Sequence, residues 1–195
     1  MISDNLKDYK ILLASASKRR HDLLKELEIN FKIISHNADE TYPQNLKGSE
    51  ITDFISKSKS FPFLNDLKKN DLLISSDTIV WFNNKAIEKP QDKNEAKKML
   101  NLLSGSMHQV FTSICISVNG RQKIVNQETK VYFNILKNKY INYYVDKFDV
   151  LDRAGSYGIQ DFIGHIGINK IEGCYNNVLG FPTSLFCQTI EKMKL

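Results

Sequence analysis

Cysteine is scarce in this chain of 195 residues: Cys115, Cys174 and Cys187 are odd in number, far apart and lack any C-x-x-C spacing. That excludes a disulfide framework and argues against a structural zinc site; reduced thiols in a cytosolic compartment are expected. No apolar run approaches membrane-spanning length, and the opening Met1-Ile-Ser-Asp-Asn-Leu-Lys-Asp has no apolar signal core. A soluble, cytoplasmic protein is therefore expected. The four histidines, His21, His36, His108 and His165, show no H-E-x-x-H or other ligand spacing. A Walker loop, a G-x-G-x-x-G turn and a G-x-S-x-G elbow are all missing, so any phosphate site has to be of another kind.

What is present is the makeup of an ordinary globular protein, 42% hydrophobic and 25% charged. The length suits one domain over residues 1–195, with no repeat and no linker to divide it. A net charge of +5 suits anionic ligands. The lysines are interleaved with acids and form no aromatic-rich basic stripe, so nucleic acid is not an expected partner.

Ile11 to Ala14 reads as a short buried strand, followed by a helix capped by Ser17 with Leu23, Leu24 and Leu27 on its apolar face. Phe31 to Ser35 alternates as a strand, Asn37 to Gly48 is a polar loop, and Ile51 to Phe61 is a modest helix. Leu72 to Phe82 is a strand in which Asp77 sets a bend or break, closed by an Asn83-Asn84 turn. Asp92-Lys-Asn-Glu95 starts the most secure helix, with Ala96, Met99, Leu100 and Leu103 at helical spacing and Gly105 as the stop. Val110 to Val118 and Ile124 to Val125 form a hairpin about Asn119-Gly120, and Glu128 to Ile135 is a further strand. Asn138 to Phe148 and Phe181 to Met193 are helices, and short glycine-punctuated strands fill Ala154 to Ile171. The hairpins imply a mixed or largely antiparallel sheet.

Ser15 to Arg20 holds the first chemical signal. Lys18, Arg19 and Arg20 fall in the first helical turn, where each cation costs roughly 0.3–1 kcal/mol against the helix dipole. An anion at that helix end, phosphate above all, makes sense of the arrangement; a solvated basic turn is the bland alternative. Asp77 puts an ionisable group inside an apolar strand, which requires a cation, a metal or hydrogen bonds. Lys89 precedes Pro90 and is extended; taken alone it is solvated. Gln160 lies among glycines, where an amide either reads a base edge or is an ordinary loop residue. Asp39-Glu40 reads as a solvated pair, although Glu40 with Asp77 suffices chemically for Mg²⁺ completed by substrate phosphates.

Taken in order, these segments resemble the Maf family of nucleoside triphosphate pyrophosphatases. Leu13-Ala-Ser-Ala-Ser-Lys-Arg-Arg20 is similar to its N-terminal signature. Ser76-Asp-Thr-Ile-Val80 and Glu88-Lys-Pro90 resemble the central motifs, as does Leu103-Ser-Gly-Ser-Met-His-Gln-Val110 the next. Ala154-Gly-Ser-Tyr-Gly-Ile-Gln160 and Ile171-Glu-Gly-Cys-Tyr-Asn-Asn-Val178 resemble the C-terminal pair. The resemblance implies an inosine triphosphatase-like α/β (α+β) fold: a mixed, largely antiparallel twisted sheet flanked by helices, with two lobes around a cleft. It implies cleavage of a triphosphate to monophosphate and pyrophosphate, with Asp77 catalytic and a divalent cation, Mg²⁺ or Mn²⁺, held by Glu40 and Asp77. Ser15, Ser17, Arg19, Arg20, Lys59 and Lys89 then fall on phosphate-binding positions. Arg19, Thr78 and Gln160 match the branch acting on dTTP and UTP, with modified pyrimidine triphosphates as further substrates. The alternatives are the same reaction on 7-methyl-GTP or another non-standard purine triphosphate, and a non-catalytic nucleotide-binding regulator of septum formation. A homodimer is expected by likeness alone. Lys18 for proline, Ser58 for an acid and Asp161 for glycine depart from the family pattern, and Asp161 places a negative charge near the expected base pocket.

Overall fold

The computed structural model describes residues 2–34 and 39–193. A short helix α1 (Ile2–Leu6) leads into β1 (Lys10–Ala14), α2 (Lys18–Glu26), β2 (Phe31–Ile34) and α3 (Ser49–Ser58). The long strand β3 (Asp71–Phe82) follows, then β4 (Lys85–Ile87), α4 (Lys93–Leu103), β5 (Met107–Val118) and β6 (Arg121–Phe133). The chain closes with α5 (Asn138–Lys147), α6 (Phe162–Gly167), β7 (Ile168–Glu172), α7 (Tyr175–Leu179) and α8 (Thr183–Met193). One sheet of seven strands runs in the order β2-β1-β3-β5-β6-β7, with β4 also paired to β3. The pairs β1–β2 and β1–β3 are parallel; the other four are antiparallel, so the expected sheet type is observed.

The register of β3 creates the opening on which the site depends. Its pairing with β1 ends at Ser75, opposite Ala14, and its pairing with β4 begins at Val80, opposite Ile87. Between them Ser76 to Ile79 have no strand on that edge among the described residues, which leaves a gap at Asp77 and Thr78. Two hydrophobic clusters flank the gap. One packs α2 and α8 on the sheet through Leu13, Leu24, Leu72, Ile114, Phe181 and Phe186; the other packs α4, α5 and α6 through Leu100, Leu103, Val131, Tyr144 and Ile163. Each such side chain stabilises by about 1.5–3 kcal/mol relative to exposure. Two lobes around a cleft result.

Local signals hold in several places. Asp92 caps α4, its Oδ1 accepting from Glu95 N–H at 2.8 Å, while Glu95 Oε2 accepts from Gln91 N–H at 2.6 Å. Asn83 and Asn84 have φ of 50° and 60°, and Asn119 and Gly120 50° and 71°, as two-residue hairpin turns require.

Other expectations need correction. β3 runs unbroken through Asp77, which pairs with Ser113 of β5 and directs its carboxylate to Lys59. β6 is a single strand: polar Asn126 and Gln127, read as a break, keep their register opposite Ser113 and Thr112. Ala154 to Ile171 holds a 3₁₀ turn (Ala154–Ser156), helix α6 and one strand, β7, all but its last residue, in place of several strands. The glycines there serve close approach rather than strand ends, since a Cβ on Gly164 would lie 2.2 Å from the Ile159 carbonyl oxygen. α3 begins at Ser49 and ends at Ser58, ahead of a separate 3₁₀ turn (Phe61–Asp66). α8 begins at Thr183, and the Pro182 carbonyl accepts from Phe186 N–H just ahead of it. Ser17 occupies the N-cap position of α2, but its side chain makes no cap hydrogen bond. Ser35, His36, Asn37 and Ala38, at the end of the expected strand and the start of the loop, lie outside the described residues.

Candidate active site

A cleft of about 610 Å³ opens at the gap in the sheet. Ser15, Ser17, Arg19, Arg20, Glu40, Lys59, Asp77, Thr78, Lys89 and Gln160, the residues singled out from sequence, all line it. Two walls differ in character because Asp77 and Thr78, adjacent on one strand, point to opposite faces of the sheet.

On the face covered by α3, Lys59 at the helix C-cap joins two acids. Its Nζ lies 2.7 Å from Asp77 Oδ1 and 2.9 Å from Glu40 Oε1. Asp77 is buried, and the ammonium supplies the compensation that its place in the strand demands. Burial alone would raise the Glu40 carboxyl, but the charge and hydrogen bond of Lys59 outweigh it and hold it below the usual carboxylate range. Asp77 Oδ2 has no hydrogen bond from the described residues and remains free to accept one.

On the other face the sharp turn from β1 into α2 carries Arg20 inward, where it is only 9% exposed. Its Nε donates to the Gly180 carbonyl at 2.8 Å, and its two terminal nitrogens donate to Ser15 Oγ at 3.3 Å and Thr78 Oγ1 at 3.0 Å. Every one of these acceptors is neutral, and no carboxylate lies within 4 Å of the guanidinium among the described residues. Burial lowers its pKa, with Asp77 across the cleft offsetting part of the effect. A buried cation held by dipoles alone leaves a positive charge that an anion could compensate. Ser15 Oγ accepts from both Arg20 and Ser17 N–H, which leaves its own proton to donate. The start of α2, whose N–H groups have no side-chain cap, lines the same cleft.

Arg19 donates to the Asp152 carbonyl at 3.3 Å, its pKa lowered by burial and by the nearby charge of Arg153. Lys89 pairs with Asp152 at 3.3 Å, but both are more than half exposed and such a pair is worth about 0–1 kcal/mol. Gln160 is exposed at the rim.

Asp161, the departure expected to place charge near the base pocket, forms a half-buried ion pair with Arg153 and accepts from Tyr144 O–H at 2.7 Å. Its charge is spent inside the wall. Arg153 and Asp152, which also line the cleft, escaped the sequence reading. Their only signal is adjacency to the Ala154-Gly-Ser-Tyr-Gly segment. His108 is 1% exposed, hydrogen-bonded to Tyr157 O–H at 2.7 Å and pushed by burial down to about 4, a core residue rather than a ligand.

No group of three or more metal-ligating side chains occurs among the described residues. Two carboxylates converging on one ammonium form a hard oxygen donor set, which fits a Mg²⁺ or Mn²⁺ ion completed by phosphate oxygens and water.

The family model described as Maf-like protein matches residues 10–193. The chain belongs to the Maf-like family. A relative named dTTP/UTP pyrophosphatase from Christiangramia forsetii is 49% identical over 193 residues, covering 99% of this chain and 98% of the relative. Another of that name, from Flavobacterium johnsoniae, is 41% identical over 184 residues, covering 94% and 95%. The Ham1 protein of Staphylococcus aureus shares the fold of this Maf-like chain at 14% identity, with a TM-score of 0.51, covering 94% of this chain and 99% of that one.

Proposed function

We propose that this Maf-like protein is a nucleoside triphosphate pyrophosphatase acting on dTTP and UTP, with residues 1–195 as one catalytic domain in the cytoplasm. The single observation that carries the reading is the buried guanidinium of Arg20, bound only by neutral oxygens, in one cleft with Asp77. Relatives named dTTP/UTP pyrophosphatase over the whole chain support the substrate assignment.

Water adds to the α-phosphorus as the bond to the oxygen bridging the β-phosphorus breaks, giving a nucleoside monophosphate and pyrophosphate. Asp77 Oδ2 accepts the water's proton while Lys59 holds Oδ1. Arg20, Ser15 O–H and the N–H groups at the start of α2 donate to phosphate oxygens; Ser17 and Arg19 extend that cradle. Lys59 and Lys89 offset the charge that builds on the departing pyrophosphate. A divalent cation held by Glu40 and Asp77 supplies further charge neutralisation on the phosphate oxygens when bound. Gln160 and Thr78 read the base.

The test is pyrophosphate release from dTTP, UTP, 7-methyl-GTP and ITP with Mg²⁺ and with Mn²⁺, run beside Asp77→Asn. Release from dTTP and UTP is expected to dominate. The variant is expected to retain nucleotide affinity and lose on the order of 10²–10⁴-fold in turnover. A purine preference refutes the substrate assignment, and unchanged turnover removes Asp77 from the chemistry.

A further inference from the structure

A line of hydroxyls leaves the cleft through the sheet. Arg20 donates to Thr78 Oγ1 at 3.0 Å, Thr78 Oγ1 lies 3.0 Å from Thr112 Oγ1, and Thr112 Oγ1 lies 2.9 Å from the Asn177 carbonyl oxygen. Thr112 is wholly buried and does not line the cleft. The far end is firmly anchored. Asn177 Nδ2 donates to the Val110 carbonyl at 3.0 Å and to Thr129 Oγ1 at 2.8 Å, so the α7 backbone cannot drift from β5 and β6.

Proton counting gives this line a direction. A carbonyl only accepts, so Thr112 has to donate to Asn177. Its single proton is then used, and Thr112 can only accept from Thr78. Thr78 has therefore committed its own proton to the interior, and Arg20 fills one of its lone pairs. What Thr78 has left for the cleft is one acceptor. Ser15 is the reverse: both its contacts are acceptances, and its proton is free.

From that contrast, and resting on the proposed function, we infer that Thr112 is a positioning residue which fixes Thr78 as an acceptor-only reader of the pyrimidine imide N–H. An acceptor-only hydroxyl repels phosphate oxygens, so the ligand group set against it carries an N–H or O–H. Thymine and uracil share an N3–H; cytosine has a bare N3 at that position. The sugar 3′-hydroxyl is common to all three and cannot discriminate. A fixed acceptor thus favours the two bases that the relatives' names pair and disfavours the third.

The test compares kcat/KM for UTP and CTP, and calorimetric affinity for UMP and CMP, in four proteins: the unaltered chain, Thr112→Val, Thr112→Ser and Thr78→Val. Thr112→Val keeps the shape but removes the acceptor, freeing Thr78 to turn its proton to the cleft. The uridine-over-cytidine ratio is expected to fall about tenfold, the scale of one hydrogen bond. Thr112→Ser keeps the hydroxyl and is expected to hold the ratio within about twofold of the unaltered chain, which loss of packing would not reproduce. Thr78→Val is expected to lose the ratio as fully.

A folded Thr112→Val with the original ratio overturns the inference, as does loss of the ratio in Thr112→Ser. If Thr112→Val fails to fold, Thr112→Ala takes its place, and an unchanged ratio in that variant, or a retained ratio in Thr78→Val, overturns the inference. Absence of pyrophosphate release from UTP by the unaltered chain sinks the proposed function alone, because the UMP and CMP affinities still decide the role of Thr112; equal affinities overturn it.

Discussion

Lys59 and Arg20 are cations of similar depth in one cleft, yet they are held in opposite ways. Lys59 sits between two carboxylates at 2.7 and 2.9 Å, while Arg20 has only a carbonyl and two hydroxyls. The first arrangement is electrostatically closed: removing one member exposes the others. The second is open, a buried positive charge with no carboxylate against it among the described residues. One wall cancels its charges internally; on the other the guanidinium meets only neutral oxygens, as the proposed phosphate site requires.

Substitution can break that contrast. Lys59→Met leaves Asp77 buried without its cation and Glu40 beside it, and a loss of about 2–3 kcal/mol is expected in a urea titration, discounted for the exposure of Glu40. Arg20→Met should change stability by less than about 1 kcal/mol, because a charge without an ionic partner is replaced by an apolar chain of similar volume. Its affinity for inorganic tripolyphosphate, followed by calorimetry, should nevertheless drop on the order of 10–100-fold. If Arg20→Met destabilises as strongly as Lys59→Met, the two walls are alike and the comparison fails.

A smaller effect sharpens the contrast by accounting for acid sensitivity that belongs to neither wall. His108 has a folded pKa of about 4 against an ordinary 6.5, with burial as the cause. Between those values the unfolded chain binds a proton that the folded chain refuses, so stability is fully present above pH 6.5 and falls as pH drops toward 4. About 1–2 kcal/mol should be lost between pH 7 and pH 5, and His108→Gln should flatten that limb in parallel melts. Glu40 is held below the usual carboxylate range by the charge and hydrogen bond of Lys59, so its titration lies on the acid side of the His108 limb.

Short-range chemistry was legible in the residues. The capping acid Asp92, the Asn119-Gly120 turn and the apolar run before Ser15 act over a few positions, and each formed the element that it signals. The crowded cations after Ser17 marked a segment that does line the cleft, with Arg19 and Arg20 both on its wall. The reading failed where packing decides. Gly164 and Gly167 looked like strand punctuation, but they allow α6 to press on the Gly158–Ile159 backbone and on Leu136. Asp161 looked like a hazard because its neutralising partner, Arg153, is eight positions away and reaches it only through the fold. Thr112 and Asn177 gave no chemical signal at all, being unremarkable polar residues until β5 and α7 come together.

Residue identity by itself determined which chemistry was available: a carboxylate in an apolar strand, cations at a helix start, amides and hydroxyls near glycines. Only the tertiary structure decided how those groups divide between two walls, which charges are cancelled and which hydroxyl protons remain free. The physical reason is range. Propensity, capping and dipole cost are set by neighbours in the chain, whereas burial and hydrogen-bond direction depend on partners such as Gly180 and Asn177, far along the sequence, that only folding brings within 3 Å of Arg20 and Thr112.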